Sequence, residues 1–127
     1  MKRMLFPVMI LILISIIALT ACGGSPTPEP TPTPRGDASA GQELFVTCAA
    51  CHGPSGEGVP NLGKDMTTSE FIAGKTDDEL VEFIKVGRAP DDPLNTTGVA
   101  MLPKGGNPAL SDDDLYDIVA YIRTLER

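Results

Sequence analysis

The chain has 127 residues and carries 17 acidic against 10 basic side chains, so its formal net charge is −7. This length allows one domain with a modest core and excludes a multidomain enzyme. The acidic balance argues against direct binding to nucleic acid, whose phosphate backbone attracts basic surfaces. Because the chain has no Trp and only two Tyr and four Phe, we expect something other than aromatic side chains to fill part of the core.

Residues 1–21 have the layout of a secretory signal peptide. Lys2 and Arg3 precede an apolar run from Leu5 to Leu19, which at about 1.5 Å per residue is short for a hydrocarbon layer of about 30 Å. The run ends in small residues directly before Cys22, an arrangement that resembles the bacterial lipoprotein signal. This resemblance implies cleavage before Cys22 and lipid on its thiol, with cleavage to a free thiol or an uncleaved anchor as alternatives. We therefore expect a lipid-anchored protein of the bacterial cell membrane, with its domain on the periplasmic or extracytoplasmic side.

Residues 22–36 are predicted to be the lipidated cysteine and a Pro-rich tether. Five prolines alternate with polar residues from Pro26 to Pro34, and this spacing excludes both a helix and a central strand. At about 3.1 Å per residue, polyproline II geometry would make the segment a semi-rigid spacer of roughly 40 Å. A Pro-rich recognition ligand is the alternative. The folded domain is then expected at residues 37–127.

The motif that carries chemistry runs from Cys48 to His52 with the spacing C-x-x-C-H. This spacing is typical of covalent haem attachment, in which two thiols bond to the haem vinyl groups and the adjacent imidazole binds iron. A structural zinc site needs four ligands, but after Cys22 the chain has no Cys or His other than Cys48, Cys51 and His52. A thioredoxin-like dithiol would begin a helix after a strand, and no strand pattern precedes the motif. Cys48, Cys51 and His52 therefore favour one haem c over zinc, a dithiol or a structural disulfide.

The folded region resembles the class I monohaem cytochromes c over nearly all of its length. Residues 39–45 are similar to the amino-terminal helix of that family, with Gly41 and Phe45 on one helix face. Residues 53–62 resemble the family's loop after the haem motif, in which a proline carbonyl accepts the Nδ1 proton of the iron-binding histidine. Pro60 matches that proline, so the resemblance implies that its carbonyl orients His52.

A second axial ligand separates an electron carrier from a haem protein with an open iron site. The chain has one His, so methionine is the natural candidate, and only Met66 and Met101 follow the signal segment. Met101 stands two residues before Pro103 in a loop that resembles the ligand loop of the family. Met66 lies only 14 residues after His52, so we expect it to fill space beside the haem while Met101 binds iron. The alternatives are Met66 as the ligand and an iron that is open or bound by water.

Two amphipathic helices are predicted after the haem motif. Thr76 caps an acidic first turn and an apolar face that ends near Gly87. Ser111 begins the stronger helix. Its apolar face is formed by Leu115, Ile118, Val119, Ile122 and Leu125. No strand pattern appears, so the fold class is all-α, a small class I cytochrome c-like fold around one covalent haem, in which we expect Gly41 to meet Tyr121.

The expected function is electron transfer in a respiratory or photosynthetic chain, by one haem whose iron is bound by His52 and Met101. The protein would act as a shuttle or as a subunit of a membrane complex, and it would be no enzyme in its own right. Residues 91–98 together with the lipid anchor resemble monohaem subunits of bacterial alternative complex III. Expected partners are redox proteins or complex subunits, and no nucleic acid. An open-site haem sensor or peroxidase, and a thiol-disulfide lipoprotein using Cys48 and Cys51, are the alternatives.

Overall fold

The computed structural model describes residues 35–127. The predicted signal peptide, Cys22 and residues 23–34 of the predicted tether lie outside them. The helices are α1 (Ala38–Leu44), α2 (Val46–His52), α3 (Glu70–Ala73), α4 (Asp77–Val86), a 3₁₀ helix (Pro103–Gly106) and α5 (Asp112–Leu125). Within residues 35–127 there are two isolated β-bridges and no strand, so the all-α prediction is confirmed. No helix in this part of the chain has both the length and the apolar character needed to cross a membrane.

The helices α1 and α5 cross at close range because a glycine stands at their contact. A Cβ on Gly41 would overlap the carbonyl oxygen of Asp117. The ring of Tyr121 packs edge-on against Phe45 instead, with 5.1 Å between the ring centroids. We expected Gly41 to meet Tyr121, but the atoms nearest to Gly41 belong to Asp117 and Ile118, one helical turn earlier. A residue without a side chain brings the two backbones together, and the aromatic pair forms one turn further on.

The predicted caps of α4 and α5 are both present. The Thr76 hydroxyl accepts a hydrogen bond from the N–H of Glu79 at 3.3 Å, and the Glu79 carboxylate accepts one from the N–H of Thr76 at 2.8 Å. Ser111 and Asp114 form the same reciprocal pair at 3.1 and 2.8 Å. These caps satisfy backbone donors that the first helical turns leave without partners. Both helices therefore begin where the sequence predicts.

The core lies where the apolar faces of α4 and α5 meet the end of α1. Its most deeply buried side chains are Phe45, Val81, Leu115, Ile118 and Val119. The face predicted for α5 is thus confirmed in its central part, while Leu125 packs against the core without being fully buried. Burial of such apolar area supplies most of the driving force for folding, at about 25 cal/mol per Å² removed from water.

Arg123 joins the ends of three helices. Its guanidinium donates to the carbonyl of Ile72 at 3.0 Å and to the carboxylate of Asp77 at 2.9 Å. It also donates to the carbonyl of Lys75 and to the carboxylate of Glu126. One side chain of α5 therefore satisfies backbone carbonyls at the end of α3 and an acid in the first turn of α4.

Arg35 and Gly36, which the sequence assigned to the tether, already contact the folded part. The Arg35 guanidinium lies 3.9 Å from the ring centroid of Tyr116 and donates to its hydroxyl at 2.8 Å. Gly36 lies against the backbone of Tyr116. The N–H of Asp37 donates to the carboxylate of Asp117 at 2.7 Å. Contacts with α5 thus begin two residues before the predicted domain boundary.

Candidate functional site

The helix α2 presents the three chemically active side chains of the C-x-x-C-H motif. Cys48 and His52 are four residues apart and share one helix face, while Cys51 lies beside His52. The helix ends at Gly53, whose φ of 81° lies in the left-handed region that favours glycine. Because the backbone turns away there, His52 stands at the last helical position.

A cavity of about 620 Å³ adjoins α2 and is lined by Cys48, Cys51 and His52. The structure thus brings the whole motif to one space. Much of the remaining wall is apolar. It includes Phe71, Ile72, Leu80, Phe83 and Ile84. The volume lies in the range of about 300–1,000 Å³ that is typical of ligand and cofactor pockets. A cavity of this size beside the motif agrees with the expectation that something other than aromatic side chains fills part of the core.

The imidazole of His52 is oriented by a backbone carbonyl. Its Nδ1 lies 2.8 Å from the carbonyl oxygen of Lys64. Since a carbonyl only accepts, this contact calls for the proton on Nδ1 and leaves the lone pair of Nε2 for a metal. The acceptor is therefore Lys64, and the prediction of Pro60 is wrong. Pro60 is exposed and lies in a turn that is closed by the pairing of Val59 with Gly63. The chain returns to the ring only after that turn.

Gly63 permits this return. A Cβ at Gly63 would overlap the carbonyl oxygen of Cys51, so the backbone here passes directly against the end of α2. The following residue, Lys64, then has its carbonyl within reach of His52. The glycine was a signal that sequence reasoning did not use. Which residue supplies the acceptor could not be predicted from the sequence, because every residue has a backbone carbonyl.

Met101 lines the same cavity, and backbone contacts hold it there. Its N–H and its carbonyl both pair with Arg88, each at 2.9 Å. Gly87, at the end of α4, has a φ of 72°, and a Cβ there would overlap the carbonyl oxygen of Met101. The end of α4 therefore fixes the position of Met101 in the cavity wall.

Met66 also lines the cavity and is only 7% exposed. Its N–H donates to the carbonyl of Gly56 at 2.7 Å. Its sulfur lies 3.8 Å from the point where a Cβ on Gly56 would stand, so the thioether packs against the loop that follows His52. The two methionines therefore differ in what holds them: Met66 by the loop of the histidine, and Met101 by the end of α4.

Asn95 organises the loop 89–99, which forms part of the cavity wall. Its side-chain amide donates to the carbonyls of Ala89 and Val99 at 2.9 and 2.8 Å. Its side-chain oxygen accepts from the N–H of Thr97 at 3.1 Å. Asn side chains commonly bond to backbone two residues on, so this signal was available in the sequence and was missed.

Burial raises the pKa of the Cys48 thiol to about 11, with the neighbouring charge of Cys51 as a second cause. The thiol is therefore neutral at neutral pH. Catalytic dithiols act as thiolates and sit where their pKa is lowered. The environment of Cys48 thus disfavours the thiol-disulfide alternative. Residues 35–127 hold no cluster of three His, Cys, Asp or Glu side chains suited to a metal ion.

The helical fold and the motif-lined cavity together define a protein built to hold one covalent haem. A sequence profile of the family described as "Cytochrome c" matches residues 38–126. The chain belongs to the cytochrome c family, as a class I monohaem member carrying one haem c. The cavity fits that group in its size, its apolar wall, its two thiols and its imidazole with Nε2 free.

Three similar proteins illustrate the range of the family. Cytochrome c-554(548) of Halomonas halodenitrificans is 35% identical over 91 residues, which cover 72% of this chain and 99% of that protein. Cytochrome c4 of Azotobacter vinelandii is 36% identical over 90 residues, covering 68% and 40%. The cbb3-type cytochrome c oxidase subunit FixP of Bradyrhizobium diazoefficiens is 39% identical over 55 residues, covering 42% and 19%. This chain thus spans less than half of the last two, and no solved structure matches it.

Proposed function

We propose that this protein is a membrane-tethered one-electron carrier in which His52 and Met101 are the axial ligands of the haem iron. One observation carries the ligand assignment: both side chains line one cavity, His52 with Nε2 free and Met101 fixed by its backbone pairing with Arg88. Haem c supplies a ferric–ferrous couple, and iron with two protein ligands has no open position for a substrate. The protein then carries electrons and transforms nothing.

Each residue of the proposed site has one task. Cys48 and Cys51 fix the haem covalently at the end of α2. The carbonyl of Lys64 keeps the proton of His52 on Nδ1 and aims Nε2 into the cavity. The apolar wall keeps water away from the site, which limits the change in solvation on electron transfer.

The proposed route for electrons is the rim of the cavity. Leu94 and Leu102 line the cavity and are still 59% and 57% exposed, so the cavity meets the protein surface beside them. Apolar side chains exposed beside a redox centre let a partner approach without displacing strongly bound water. We infer that the electron-transfer partner docks at this rim.

We further propose that lipid on Cys22 holds the protein on the extracytoplasmic face of a bacterial cell membrane. The support is the lipoprotein-like signal that precedes Cys22 and the Pro-rich segment that follows it. As partners we propose redox proteins or subunits of a respiratory membrane complex. One of the similar proteins is by name an oxidase subunit, and residues 91–98 resemble subunits of alternative complex III.

The ligand assignment is tested by replacing each methionine in the haem-loaded protein. Met101→Ala should abolish the long-wavelength charge-transfer band of Met-ligated ferric haem, lower the midpoint potential and allow carbon monoxide to bind. Met66→Ala is the matched control, because it removes a thioether from the same cavity wall and should do none of these. The reverse pattern would assign the ligand to Met66. An unchanged spectrum in both variants would refute methionine ligation.

A further inference from the structure

Arg88 directs its guanidinium along the wall of the cavity. The guanidinium carbon lies 4.9 Å from the ring centroids of both Phe71 and Phe83, and the side chain is 13% exposed. All three side chains line the cavity. A cation packed against two aromatic rings is restricted in orientation and partly removed from water. Arg88 therefore presents a charge to whatever fills the cavity.

One donor of this guanidinium has no partner among the described residues. Nε of Arg88 is buried and makes no hydrogen bond, and the closest carboxylate oxygen, from Asp92, is 3.8 Å away. Nη1 donates to the carbonyl of Leu94 at 3.3 Å. Buried polar groups in proteins are nearly always hydrogen-bonded. The unpartnered Nε therefore leaves Arg88 with a free donor at a position beside the cavity.

Lys64 brings a second cation to the same point. Its Nζ donates to the carbonyl of Leu94 at 3.2 Å, the oxygen that Arg88 also contacts. Two cations that share one neutral acceptor repel each other unless anions lie close by. The one acid in the described cavity wall, Asp65, is engaged elsewhere, because its carboxylate accepts from the N–H and the hydroxyl of Thr67 at 2.6 and 2.7 Å. Asp92, which lies 3.8 Å from Nε of Arg88, is outside this wall, so the cations Arg88 and Lys64 outnumber the one acid in the wall.

We propose that Arg88 and Lys64 bind the two carboxylate side chains of the haem, with Nε of Arg88 donating to one of them. This inference rests on the proposed function in placing the haem in this cavity. Two carboxylates would balance the charge of two cations, and one of them would accept the hydrogen bond that Nε of Arg88 otherwise lacks. Both residues also hold Leu94, so their engagement fixes the loop 89–99. A fixed positive charge favours the iron state of lower charge, so the pair raises the midpoint potential.

The test uses Arg88→Met and Lys64→Met in the haem-loaded protein. Methionine keeps the apolar contact of Arg88 with the two rings while it removes charge and donors. Each variant should show a lower midpoint potential and shifted resonance Raman bending bands of the haem carboxylates, with both thioethers intact. Arg88→Lys keeps the charge and loses Nε, so its Raman bands should shift while most of the potential is retained.

Lys85→Met is the matched control. Lys85 is 29% exposed, pairs with Glu82 and Asp112 and lies outside the cavity wall, so the variant makes the same change in net charge. It should leave the potential and the Raman bands unchanged. An equal drop in the control, or unchanged carboxylate bands in Arg88→Met and Lys64→Met, would overturn the proposal. If Arg88→Met also lost the methionine ligand, the substitution would have displaced the adjacent Met101, and the result for Lys64→Met would decide alone. Absence of covalent haem from the parent protein would instead contradict the proposed function.

Discussion

Two glycines let backbone segments approach each other more closely than any side chain would permit. Gly41 lies against the carbonyl of Asp117 where α1 crosses α5, and Gly63 lies against the carbonyl of Cys51 beside the haem site. The first contact closes the core and the second brings the acceptor for His52 into place. Both contacts depend on the absence of a side chain at these two positions.

Replacing Gly41 with Ala should destabilise the haem-loaded protein. Helix propensity alone would predict a gain of roughly 1 kcal/mol. The added Cβ would overlap the carbonyl of Asp117, so α1 must move away from α5. Overpacking of this kind typically costs about 1–3 kcal/mol. Denaturant unfolding followed by circular dichroism measures the change, and Gln42→Ala, at an exposed position of the same helix, is the control. A Gly41→Ala protein as stable as the control would contradict the role of this glycine.

Residue types with few chemical roles were the most predictable part of the site. Cys48, Cys51, His52 and Met101 were chosen from the sequence, and the structure brings all four to one cavity. Pro60 failed for a physical reason, because its proposed task used only a carbonyl and the path of the backbone decides which carbonyl arrives. Arg88 was not singled out, since its position against two rings depends on how α4 packs.

The first turns of α4 and α5 combine a hydroxyl cap with a carboxylate three residues later. In α5 the hydroxyl of Ser111 and its N–H both donate to Asp114, and these hydrogen bonds lower the pKa of the Asp114 carboxyl. In α4 the N–H of Thr76, followed by its hydroxyl, lowers the pKa of Glu79 in the same way. The hydrogen bonds of the folded helix therefore stabilise the charged form of each carboxyl group.

Asp114→Asn should remove part of the acid sensitivity of the protein. The folded pKa of Asp114 is lowered, so its contribution to stability is fully present above the unfolded value of about 3.9 and is lost as the pH falls through the folded value. The parent should be more stable than the variant at neutral pH, and the difference should shrink toward acid pH. Thermal unfolding from pH 7 downward measures this. Asp113→Asn, in the same turn, is the control, and a gap that stays constant with pH would contradict the assignment.

Helices with both a cap and a full apolar face were predictable, and the shorter elements were not. The starts of α4 and α5 follow from Thr76 and Ser111, whose hydrogen bonds are local. The helix α3 has four residues, too few to show a helical period, although Ser69 caps it. The 3₁₀ helix depends on Lys104 and Gly105 at positive φ, a conformation that no apolar pattern encodes.

At the scale of the whole molecule, the two ends of the folded part meet. The helices α1 and α5 pack together, and residues 35–37 bind to Tyr116 and Asp117. Residue 35, where the described part begins, therefore lies on the face of α5.

Changing Cys22 to Ser should release a haem-loaded protein from the membrane fraction into the periplasmic fraction, because the proposed lipid is the attachment. Immunoblotting of the fractions from cells that lack the partner complex measures this. Cys48→Ser is the cysteine control, which should remain with the membrane while it loses one thioether. Retention of Cys22→Ser at the membrane would contradict lipid anchoring and favour an uncleaved amino-terminal segment.

The partial burial of Cys48 bears on the order in which the chain folds and receives its haem. In the folded protein this thiol is partly covered and held neutral by burial, and α1, which leads into α2, is covered by α5. Synthesis runs from the amino terminus, so α2 is made well before α5. We therefore expect haem attachment to precede the docking of α5 on α1, because α5 is the last helix to be made.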